Sequence, residues 1–263
     1  MRPAGRLAAC LAACAVAARA ADEGFWFVQL TDLHLSGGTD HVQRVSAAID
    51  AVNDLPVPVA FVLVSGDLVN DNLDNSNVLA RTTGLLGRLR PPVHVLAGNH
   101  DILGKRWGET TSAWTRAFGP LATNFTHGGV TFLLLFDETL CDPALGAAHP
   151  DYDAAAWTSN RLEEARGRPV IVVHHRPATD DYHTGAFRPG WPEAARERWS
   201  ALLNRYGVTA AITGHYHRDE LQWLGSVPVY ASAPLAGYYG RQASFRLYEW
   251  RHGRLAYRTV YLR

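Results

Sequence analysis

A chain of 263 residues, 47% of them hydrophobic, can bury one large core or two modest ones, which excludes a disordered polymer. Basic and acidic groups balance at 25 each, so the chain lacks the basic excess that nucleic-acid binding usually needs. Lys105 is the single lysine and the other cations are arginine, a bias that we read with the abundant alanine as GC-rich codon usage and not as phosphate recognition.

The opening "MRPAGRLAACLAACAVAARA" places Arg2 and Arg6 before an apolar run from Leu7 to Ala18 and ends on the small-x-small pattern Ala18, Arg19, Ala20. It reads as a cleaved export signal covering 1–20, because the run is too short for a permanent membrane span. A lipoprotein box at "LAAC", with acylation of Cys14, is the variant of that reading. Removing residues 1–20 leaves 22 basic against 25 acidic groups and Cys141 as the one cysteine, so no intrachain disulfide is expected.

From there apolar, β-branched runs alternate with amphipathic stretches. "FWFVQL" (25–30) reads as a buried strand and is followed by "TDLH", with Asp32 and His34. Residues 41–55 show apolar positions at three- and four-residue spacing, a helix. "VAFVLV" (59–64) is the next strand and leads into "SGDLVN" with Asp67. A second helix is expected over 77–89. "VHVLA" (93–97) ends in "GNHD", with Asn99, His100 and Asp101. Residues 102–123, 140–152 and 176–192 show no clear period and are expected as loops. "NFTHGGVTFLLLF" reads as a hairpin turning at Gly128 and Gly129. A helix over 153–166 precedes "PVIVV" (169–173), which delivers His174, His175 and Arg176. A helix over 193–207, closed by Gly207, precedes "VTAAIT" (208–213) and "GHYH" with His215 and His217. Two further hairpins turn at Gly225–Ser226 and His252–Gly253. Strands alternating with helices make an α/β layer arrangement, the hairpins make its sheets mixed, and no repeat or linker divides 21–263.

Five strand ends therefore carry carboxylate, imidazole and amide groups, and strand C-termini are where open α/β sheets bind ligands. Alternate residues of an extended segment point the same way, so Asp32 and His34 can grip one ion, and His215 and His217 can grip one ion or two on either side. Asp67, the sole acid of its cluster, is free to bridge two metals. Oxygen and imidazole donors without cysteine suit Mn, Fe or Zn. Two ions roughly 3.5–4 Å apart can generate hydroxide at neutral pH and clamp a displacement at phosphorus.

In this order, "DLH", "GD", "GNHD", a strand-end His and "GHYH" resemble the calcineurin-like metallophosphoesterases from Gln29 to about Tyr239, closest to small phosphodiesterase-type members. The resemblance implies a four-layer αββα sandwich of two mixed sheets flanked by helices, with a dinuclear site at the strand ends. It implies one metal on Asp32, His34 and His217, the other on Asn99, His174 and His215, and Asp67 bridging. His100 is expected over the substrate phosphate, oriented by Asp101, while a metal-bound hydroxide attacks a phosphodiester or phosphomonoester. His175 and Arg176 stand as candidate substrate contacts, and Trp107, Tyr238 and Tyr239 as pocket walls or core. Asn70 occupies the place of the tyrosine of purple acid phosphatases, a branch the chain therefore leaves. Expected partners are a small phosphorylated substrate, no nucleic acid and no membrane span; oligomeric state leaves no trace. The rival is a non-catalytic metal-binding interaction domain of the same fold.

Overall fold

The computed structural model describes residues 24–36, 40–181, 190–237 and 241–262. The expected leader and Cys14 lie outside them, as do Tyr238 and Tyr239.

In chain order the elements are β1 (Phe25–Leu30), α1 (Asp40–Asn53), β2 (Val59–Ser65), α2 (Ser76–Leu86), β3 (Val93–Leu96), α3 (Trp107–Phe118), β4 (Ala122–His127), β5 (Val130–Leu135), α4 (Glu138–Cys141), α5 (Pro143–Ala148), α6 (Ala154–Glu164), β6 (Val170–Val173), α7 (Glu193–Arg205), β7 (Ala210–Thr213), β8 (Glu220–Leu224), β9 (Val227–Ala231), β10 (Ser244–Arg251) and β11 (Arg254–Tyr261). One sheet has the order β11-β10-β1-β2-β3, the other β4-β5-β6-β7-β9-β8. β1, β2 and β3 run parallel in the first; β5, β6, β7 and β9 run parallel in the second. The three hairpins pair antiparallel at the expected turns.

Side-chain alternation builds the layers. In β1, Phe25 and Phe27 face the second sheet, whereas Val28 and Leu30 face helices. Between the sheets Phe27, Phe61, Phe132, Leu134, Ile171, Val173, Ile212 and Tyr248 form one core. Outside the first sheet, Val45, Ala48, Ile49 and Val52 of α1, at helical spacing, join Val62 and Val64. Outside the second, Leu162, Trp199 and Leu203 cover Val170, Val172 and Ala211. Three cores between four layers make the αββα sandwich.

The expectation of loops over 102–123 and 140–152 is corrected by α3, α4 and α5. In α3 the buried face is Thr110, Ala113 and Trp114, and a threonine in that stripe hides its period from a hydrophobicity reading. Trp107 stacks on His149 at 4.0 Å between ring centroids and packs on Phe136, so it belongs to that core. Among the described residues no helix is long and apolar enough to cross a membrane.

Candidate metal centre

The strands carrying the five motifs end at the same edge of the two sheets, and backbone hydrogen bonds lash the ends together. Asp32 N–H donates to Gly66 O at 3.1 Å and His34 N–H to Asp67 O at 2.9 Å within the first sheet. His215 N–H, from the second sheet, donates to Asp32 Oδ2 at 3.1 Å. Just beneath, buried Gln29 reaches across both sheets, donating to Ser65 Oγ and to Thr213 O, each at 2.8 Å.

Two sets of donor atoms draw on both sheets, each within 4.8 Å of one another: Asp32, His34 and His217, and Asp67, His175 and His215; a third, His34, Asp67 and His100, comes from the first sheet alone. His217 Nε2 lies 3.1 Å from Asp32 Oδ1. Asp67 Oδ2 stands between the first two sets, 3.7 Å from His34 Nε2 and 3.0 Å from His175 Nε2. Despite that approach His175 Nε2 makes no hydrogen bond, and neither does the buried Asn99 Oδ1. Buried polar atoms are normally satisfied, so donors aimed at one another with unmet lone pairs fit a cation.

Backbone geometry carries the same mark. Of the seven non-glycine residues with positive φ among the described residues, six lie here: Asp32, His34, Asp67, Asp71, His215 and His217. Each sits where L-residues are disfavoured, at a cost of about 1–3 kcal/mol. Gly98 is required by proximity, since a Cβ there would overlap Asp67 Oδ1 and the Asp67 peptide nitrogen. Gly66 combines φ of +95° with a Cβ position that would overlap the His175 ring.

Electrostatics favour positive charge at the centre. Burial pushes Asp32 upward, but hydrogen bonds with His217 and His34 outweigh it and hold the carboxyl well below its usual range. Burial likewise opposes ionisation of Asp67, which the facing His175 nevertheless holds low. For His175 burial disfavours the cation, yet Asp67, Asp32 and Asp137 raise it well above the ordinary histidine value. Burial and the neighbouring His175 push His215 down to about 3.

Two expectations are corrected. The ring at the centre is that of His175, not His174. Ile171, Val173 and His175 share the inward face of the β6 segment, while Val170, Val172 and His174 face the helices. His174 accordingly lies between Trp191 and Trp199, 5.7 Å from each ring, with Nδ1 3.0 Å from Arg176 O. Second, Asp101 does not touch His100. Its buried carboxylate accepts N–H bonds from Gly98 at 2.9 Å, Val69 at 3.0 Å and Leu68 at 3.2 Å, tying β2 to β3, and burial with nearby Asp67 pushes it up to about 7. His100 Nδ1 instead meets Asp71 Oδ1 at 2.8 Å. Arg176, a candidate substrate contact, is paired with Glu138, 3.5 Å away, a carboxyl that burial and Asp137 push up to about 7.

Asp71, Asp137 and Glu138 are the residues that motif reading missed. Asp137 had a signal, for it follows the apolar run "VTFLLLF" as a sixth strand end with an acid. A cavity of about 450 Å³ behind Trp191 and Trp199 is lined by none of the donor residues.

Comparison with known proteins follows the same lines. The profile of a family described as calcineurin-like phosphoesterase matches residues 25–219. The serine/threonine-protein phosphatase CPPED1 of Danio rerio is 29% identical over 226 residues, 74% of this chain and 71% of its own. The protein named "Probable cyclic nucleotide phosphodiesterase" of Rhodopseudomonas palustris is 27% identical over 234 residues, 80% of this chain and 78% of its own. The crystal structure of a dimetal phosphatase from Danio rerio superposes with a TM-score of 0.60 at 13% identity, covering 91% of this chain and 99% of that one.

Proposed function

The chain belongs to the calcineurin-like phosphoesterase family, and from that premise we propose that it hydrolyses phosphate esters using two metal ions held between its sheets. The observation that carries this is Asp67 Oδ2, set between two carboxylate–imidazole groups. Asp32, His34 and His217 would hold one ion and Asn99, His175 and His215 the other, with Asp67 shared. Such ions, when bound, supply an acidified water and offset charge building at phosphorus, and this donor set suits Mn, Fe or Zn.

The chain's own groups do the rest. Asp71 accepts the Nδ1 hydrogen bond of His100, so Nε2 is the atom that hands a proton to the departing oxygen. His100 is about one-third exposed, as a group that must meet substrate requires. Arg176, steadied by Glu138, offers a fork of N–H donors to an anionic part of the substrate. The substrate class is a small phosphorylated molecule; relatives named phosphatase and phosphodiesterase support a monoester and a diester alike. Export by cleavage near Ala20 completes the reading, with 21–263 as the working domain.

Asp67→Asn is the direct test. It keeps the shape and removes the shared charged oxygen, so hydrolysis is expected to vanish while unfolding stays cooperative. A pure variant with wild-type turnover would sink the proposal.

A further inference from the structure

Asp137 belongs to none of the donor sets, yet its buried carboxylate governs the segment that carries one of them. Oδ1 accepts the His175 N–H at 3.1 Å and Oδ2 the Arg176 N–H at 2.9 Å. Oδ2 also lies 3.3 Å from His174 Nδ1. Past the end of β6 these peptide N–H groups have no ladder to join, and the carboxylate takes the place of a strand partner. The backbone so fixed aims the next side chain. His175 Nδ1 donates to Ser65 O at 2.8 Å, which leaves the Nε2 lone pair turned toward Asp67.

We propose that Asp137 is a positioning residue for metal uptake on the Asp67, His175 and His215 side of the centre, a role that rests on the two-metal reading above. It reaches that side through the peptide of His175. The Asp32, His34 and His217 set hangs from the ends of β1 and β7 and does not depend on this carboxylate. Loss of Asp137 therefore acts on one half of the centre.

The test is titration of the metal-free full-length chain with Mn²⁺, followed by calorimetry and by electron paramagnetic resonance. Asp137→Asn leaves one acceptor oxygen and turns an NH₂ against a peptide N–H. It is expected to bind one ion with wild-type affinity and the second about 10–100-fold more weakly, with the spin-coupled two-ion signal lost at two equivalents. Asp137→Glu keeps both oxygens one methylene out of place and is expected to fall between. Thr158→Val, which removes a buried hydroxyl bonded to Ala154 O on the same side of the sheet, controls for lost stability and should keep both affinities. A variant too unstable to titrate is read by the rise of Tm with Mn²⁺, expected to follow the tighter ion alone.

Wild-type affinity for both ions in Asp137→Asn overturns the proposal, as does equal weakening of both, which would make the residue a general support of the fold. A variant that fails to fold even in saturating Mn²⁺ also counts against it. Fewer than two ions on the wild-type chain would instead bring down the two-metal reading beneath it.

Discussion

Six left-handed residues at one edge of the molecule are a cost that folding alone does not explain. Strain of this kind persists where the surrounding structure over-determines it, and here it turns acids and imidazoles toward a common point. The choice between His174 and His175 shows how finely that pointing is set, because neighbours on an extended segment face opposite layers. His175→Ala is expected to lose more than the about 10–100-fold in metal affinity that loss of an outer partner costs. His174→Phe, with its ring between Trp191 and Trp199, is expected to keep wild-type affinity; the reverse outcome in Mn²⁺ titrations would restore His174. Protons and metal also compete. In the metal-free chain His175 holds its proton more tightly than the unfolded chain's ordinary value of 6.5. Its contribution to stability is thus present below that pH and is lost as pH rises through the raised folded value. A metal must displace the same proton, so affinity is expected to rise with pH, by up to about tenfold per unit for one proton. Calorimetry in buffers of differing ionisation enthalpy reads the proton release, and a flat pH profile would contradict the account.

At the scale of elements, legibility tracked the purity of the hydrophobic pattern. β1, β2 and β6 are apolar save for Gln29 and the terminal Ser65, and their ends carry the motifs, so both strands and strand ends could be read directly. The alternation within "VIVVHH" also held the answer to the histidine question, since His175 keeps step with Ile171 and Val173. α3 escaped because its buried stripe includes a threonine, and α4 and α5 because four and six residues are too short to show a period. The partnership of His100 with Asp71 spans 29 residues and depends on how two strand ends meet, which no local pattern encodes. Helix boundaries follow local chemistry that can be tested apart from the site. Asn75 caps α2 by accepting N–H bonds from Asn77 at 3.0 Å and Val78 at 3.3 Å. Asn75→Ala is expected to cost about 1 kcal/mol in denaturant unfolding with metal affinity unchanged; a changed affinity would tie this helix to the centre.

In the whole molecule, the two sheets matter less as walls than as two comb-like supports meeting at one edge. The first supplies Asp32, His34, Asp67, Asn99 and His100; the second supplies His175, His215 and His217. Two of the donor sets need both sheets, because His217 joins Asp32 and His34, and Asp67 joins His175 and His215, while His34, Asp67 and His100 come from the first sheet alone. The aromatic core between them, with Phe27 and Phe61 of the first sheet edge-on to Phe132 of the second at 5.5 and 5.1 Å, fixes their separation and hence the span of the centre. Sequence order could list the donors but not the pairing of sheets, which is set by packing between residues far apart in the chain. The central claim, a phosphoesterase that works through ions held by both sheets, is tested most directly by turnover. The purified protein, stripped of metal and then reloaded with manganese, is offered a chromogenic phosphodiester beside the matching monoester. The account predicts hydrolysis of at least one, absent before reloading and restored by it. Silence on both substrates from a chain that binds two manganese ions would contradict it.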